Sequence, residues 1–145
     1  MYDYHDLNTT ALWVKTLLDL DHLYDAIQID DAGLSATDLN TASGTLASLR
    51  QDGPFSQTAL EDLDCLEAII ADAIQRETLG FRSEFDGICD PEYGDIGQVI
   101  QVPIQSHKGK RAEILMQDLQ SIKSMRDVLR ARLDAELQMA RLQAA

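Results

Sequence analysis

Apolar positions return every three or four residues along most of this chain, the period of a helix rather than a strand. The pattern is longest in 110–143. That stretch has neither Gly nor Pro and is rich in helix-forming residues. It sets Leu115, Leu119, Ile122, Leu129, Leu133, Leu137 and Ala140 on one stripe. A helix of about 33 residues is roughly 49 Å long, whereas a compact domain of this size is only about 38 Å across. A stripe that outruns its own domain calls for a second chain, so Leu115, Leu119, Ile122, Leu129, Leu133 and Leu137 are expected to form a self-association interface.

Three shorter helices precede it. Asn8 or Thr9 caps the first, which runs to about Gln28 with a heptad-like seam of Trp13, Leu17, Leu20, Tyr24 and Ile27. Val14 and Leu18 fall on its opposite face, placed equally well for a packed neighbour or a partner surface. Ser35 caps the second helix, 36–51, which faces Leu39, Ala42, Leu46 and Leu49 inward. Its Gly44 is read as a point of close packing. The third, 57–79, is expected to be capped by Ser56, stapled by Phe55 and Leu60, and stopped by Gly80. Leu60, Leu63, Leu66, Ile70, Ala73 and Ile74 make it the central helix.

The helical period is lost over 80–109. Phe81, Phe85, Ile88 and Tyr93 are interspersed with acids, and VIQVPIQ (99–105) reads as a strand that Pro103 confines to an edge or an extended arm. The pattern predicts an all-α fold in one domain, 1–145. It is an antiparallel bundle with an acidic three-helix region (1–79), an irregular arm with a short β segment (80–109) and a long C-terminal helix (110–143). Long irregular segments are often functional. Phe81, Phe85, Tyr93, Ile100, Val102 and Ile104 are therefore the candidate partner-binding residues of the arm.

Charge sharpens this division. Residues 1–106 hold 4 basic and 20 acidic side chains, and residues 107–145 hold 8 basic and 5 acidic, for a net charge of −13 overall. Such an acidic chain repels nucleic acid and anionic membranes, and would attract a basic protein surface. Lys123, Arg130 and Arg141 share one edge of the last helix, fitted to dock on acidic helices of the same or a neighbouring subunit. Two charges break the apolar stripes: Glu67 among Leu63, Ile70 and Ile74, and Arg126 among Ile122, Leu129 and Leu133. A lone buried charge costs several kcal/mol, so Glu67 and Arg126 are expected to pair, within the chain or across a dimer.

Chemistry-bearing motifs are few. The acidic loop Asp86–Asp95 fails the EF-hand spacing, with Pro91 where the turn Gly belongs. Asp19 and His22 are half of a helical di-metal pattern whose second half is missing. Glu61, Asp64 and Glu67 likewise lack the second acidic helix of an all-α nucleotide pyrophosphatase. Cys65 has no His near it in sequence, and there is no nucleophile elbow or phosphate-binding glycine loop. No catalytic, cofactor or metal residues are assigned. Cys65 and Cys89, too few for a disulfide scaffold, read as small hydrophobes at least half buried. No apolar run reaches the roughly 18 residues of a membrane span, and MYDYHDLNTT has no signal-like features, so the cytoplasm is the expected compartment. The expected function is a non-catalytic interaction or assembly protein forming a homo-oligomer through its last helix. The alternative is a monomeric acidic inhibitor that masks a basic, nucleic-acid-binding surface on a target protein.

Overall fold

The computed structural model describes residues 8–29, 31–53, 56 and 58–144, with the backbone alone at Cys89 and Asp95. Its elements follow in the order α1 (Thr9–Ile29), α2 (Ala36–Asp52), α3 (Ala59–Arg76), β1 (Thr78–Asp90), β2 (Gly94–Gln105) and α4 (His107–Ala144). The chain is mostly helical but not all-α. The segment expected to be irregular is a two-stranded antiparallel sheet of 13 and 12 residues.

The helices form a four-cornered bundle whose neighbours are α1–α2, α2–α3, α3–α4 and α4–α1. Helices α1 and α4 run antiparallel. Thr9 Oγ1 donates to Glu136 Oε1 at one end, and Lys108 meets Asp31 at 3.2 Å at the other. One apolar cluster fills the interior, with Leu12, Leu20, Leu46, Leu49, Leu66, Leu119 and Leu129 among its sealed members. Each such side chain contributes about 1.5–3 kcal/mol by leaving water.

Of Asn8 and Thr9 it is Asn8 that caps α1, its Oδ1 accepting from Ala11 N–H at 2.7 Å, and the cap expected at Ser35 is present, its Oγ accepting from Asp38 N–H at 3.1 Å. Other expectations are corrected. In α1 the buried seam is Leu12, Thr16, Leu20, Leu23 and Ile27, and Trp13, Leu17 and Tyr24 are only half buried. Thr16 is admitted to the core because its hydroxyl donates to Leu12 O at 2.8 Å, which leaves nothing unsatisfied. Helix α3 ends at Arg76, not beside Gly80, because the β1 ladder takes over at Thr78. Its Leu60 points outward, and Thr58 rather than Ser56 stands at the N-cap. The staple involving Phe55 lies outside the described residues. No atom would crowd a side chain at Gly44, so close packing is not its role. Cys65 is exposed.

The hairpin pairs in register from Gly80↔Ile104 to Asp90↔Gly94, with a bulge between Thr78 and Gly80. Its tight end is built by Asp90, whose Oδ1 accepts from the N–H groups of Glu92 (2.8 Å) and Tyr93 (3.3 Å), and by Gly94 at φ 80. At the root, Ser106 N–H donates to Glu77 O, and its hydroxyl donates to Glu77 Oε2 while accepting from Gly109 N–H. The Glu77 side chain also covers Gly33, where an added Cβ would stand 2.8 Å from Glu77 Cγ. The α1–α2 loop, the hairpin root and the start of α4 are thereby fastened together at one end of the bundle.

Candidate assembly interface

Two-residue alternation sorts the hairpin side chains onto two faces. Phe81 and Phe85 of β1 share a face with their partners Pro103 and Val99. Arg82, Glu84 and Ile88 lie opposite, with Val102, Ile100 and Ile96. The Gln101 to Ser83 hydrogen bond at 2.9 Å, between paired residues of the first face, agrees with this division. Both faces stand in solvent. Phe81 is 65% exposed, Phe85 45% and Tyr93 79%, and Leu79, Ile88, Ile96, Val99 and Ile104 are also exposed. Of the six arm residues expected to meet a partner, only Ile100 and Val102 are half covered. Near the root, Arg82, Val102, Pro103, Ile104 and Gln105 line a groove with Lys110 and Glu113 of α4; Arg82, Val102 and Ile104 belong to the second face, whereas Pro103 reaches it from the edge of the Phe face. Beyond Phe85 the paired Gly87 and Gly97 lie so close that a Cβ on either would run into the backbone of the other strand, at Ile96 O and Asp86 O. Side chains are excluded there, which leaves a flat step beyond Phe85.

The stripe of α4 does not act as one surface. Leu115, Leu119, Ile122 and Leu129 are sealed in the chain's own core, so these four are corrected from interface to core residues. They are covered because α1 and α3 both pack on α4, and an apolar stripe is buried by whichever helices reach it first. Cover thins after Leu129: Leu133 is half buried and still packs on the core, whereas Leu137 is 58% exposed, and Met139 and Leu142 are exposed as well. The helix continues to Ala144, with Arg130 and Arg141 flanking the line of Leu133, Leu137 and Ala140.

The Glu67–Arg126 pairing expected within the chain is also corrected. The Glu67 carboxylate is held by Lys123, which also meets Asp64 at 3.3 Å, while Arg126 lies 3.5 Å from Asp127. Lys123 is three residues before Arg126 in sequence and stands on the α4 edge that faces α3. Neither Glu67 nor Arg126 enters the sealed core, so neither needed the other. The hydrogen bond from Lys123, then its charge, holds the Glu67 carboxyl below the usual range, and the same bond raises Lys123. Lys123 belongs to the basic edge expected to dock on acidic helices, and it docks on α3 of the same chain, but its place on a wheel does not single it out as the partner of Glu67.

A second polar group joins α1 to α4. Lys15, Asp19 and His22 line an open depression with Asp118 and Ser121. Lys15 Nζ meets Asp19 at 3.2 Å, and burial, reinforced by the Asp19 charge, pushes the Asp118 carboxyl up. Among the described residues no group of three His, Cys, Asp or Glu is arranged to hold a metal ion, and no helix is long and apolar enough to cross a membrane. Against known protein families, curated proteins and solved structures, the chain finds no match.

Proposed function

We propose that this chain is a non-catalytic assembly component that self-associates through the exposed end of its C-terminal helix and through the β1–β2 arm. The supporting observation is apolar surface on two elements that the chain's own core leaves uncovered. Aromatic side chains bury about 150–250 Å² each, so Phe81, Phe85 and Tyr93 at their observed exposures offer on the order of 400 Å². That is about half of the roughly 800 Å² per partner of a standard interface. A two-stranded hairpin is at best marginal alone, so burial of either face by a partner would also stabilise it.

The test is solution mass by size exclusion with light scattering, at low and high salt. The expected result is a salt-resistant integer multiple of the 16.1 kDa chain. A monomer at both salts would overturn the proposal. The acidic-inhibitor reading has less support. It needs the acids of α1 and α3 on one continuous face, but those helices occupy diagonal corners, and Asp64 and Glu67 turn toward Lys123.

A further inference from the structure

We infer that the Phe face of the hairpin is the docking surface for the last turns of α4 of a second copy of this chain, joined head to tail. This rests on the self-association proposed above and names the two surfaces that meet. The hairpin leaves the bundle at the end where Glu77, Ser106 and the Asp31–Lys108 pair gather, whereas the uncovered end of α4 lies at the opposite end, where Thr9 meets Glu136. Both surfaces are exposed in one chain, so they do not satisfy each other there. Between copies they fit in size. Residues 130–144 form about 22 Å of helix, and β1 from Phe81 to Asp90 offers about 33 Å of ribbon.

They fit in chemistry as well. Phe81, Phe85 and Val99 give a flat apolar strip, and Leu133, Leu137 and Ala140 give a helix stripe of matching character. Residues 78–105 carry one basic and five acidic side chains, a net charge of −4. Residues 130–144 carry Arg130, Arg132 and Arg141 against Asp134 and Glu136, a net of +1, with Arg130 paired to Asp134 at 3.4 Å. Glu84, Asp86 and Asp90 stand on the opposite face of the ribbon, so charge acts here through the net values. Opposite net charge favours the arm–helix contact, whereas an arm–arm contact would bring together two elements of −4 each. A contact between two different patches on each copy is heterologous. Repeated, it gives a ring if the rotation closes and a filament if it does not.

Complementation tests this. One variant loses the arm surface (Phe81→Ser with Phe85→Ser), the other the helix surface (Leu137→Asp with Arg141→Glu). All four positions are exposed, and circular dichroism melts will establish that both variants fold. Each variant alone is expected to be monomeric by light scattering. An equimolar mixture pairs the intact helix of one with the intact arm of the other, and the mass doubles to a dimer that grows no further. If the wild type is oligomeric but the mixture stays monomeric, or either variant alone keeps the wild-type mass, the arm–helix contact is wrong while self-association stands. A monomeric wild type would overturn both.

Discussion

At the scale of single residues, exposed charges here are settled by reach rather than by place on a wheel. Lys123 has a long, flexible stem that lets its ammonium meet Asp64 and Glu67 together across the α3–α4 seam. A pair this exposed is worth no more than about 1 kcal/mol. Its signature is therefore pH dependence more than magnitude. The Glu67 carboxyl is depressed in the folded state, so its contribution is fully present above the ordinary carboxyl value of 4.5 and is lost as pH falls through the lower folded value. Lys123 is raised, so its contribution is present below 10.5 and is lost as pH rises through the higher folded value. Lys123→Met should therefore lower the melting temperature slightly at pH 7. It should also flatten the stability profile at both the acid and the alkaline edge, and melts across pH 2–12 will measure this. Unchanged slopes at both edges would show that the bridge contributes nothing. The place of Glu67 among Leu63, Ile70 and Ile74 points to a cation partner but not to which one, because a helical wheel shows direction without the length and freedom of the side chain.

At the scale of elements, α4 is one continuous helix with two environments. Its first six turns complete the bundle, Leu133 and Glu136 still touch it, and the apolar side chains beyond, Leu137, Met139 and Leu142, are exposed. Truncation should separate them. Leu129→Ala opens a cavity in a sealed core and is expected to cost about 2–5 kcal/mol in denaturant unfolding. Leu137→Ala should stay within about 0.5 kcal/mol for the isolated chain. Equal effects at the two positions would contradict this division. The helix itself was legible to within a turn at either end, since periodicity and the absence of breakers act locally. Its division was not, because the point where cover ends depends on where α1 and α3 stop. The hairpin was legible only as an apolar arm with a strand near 99–105. Its two faces are both solvated, so no core demanded a clean alternation of apolar and polar residues, and the β1 half carried no strand signal strong enough to displace an irregular reading.

At the scale of the whole molecule, the bundle and the arm are separable. Among the described residues the arm's groove against α4 lies near its root, and its ends, Thr78 and Gln105, are paired across the sheet. Replacing 80–103 by a short Gly/Ser turn should therefore preserve the helical circular dichroism signal and cooperative melting while abolishing assembly. Loss of cooperative melting would show that the arm is part of the folding unit. What the sequence determined alone was local: four helices, the caps at Ser35 and at Asn8 or Thr9, the mostly helical class, the acidic body and the basic last third. Propensity, capping and charge all act over a few residues and need no distant partner. Tertiary structure decided the rest: which apolar stripe is core and which is surface, which cation reaches Glu67, and that the arm is a hairpin projecting from the end opposite the free helix. Each of those depends on residues far apart in the chain arriving at one place, which no periodicity encodes.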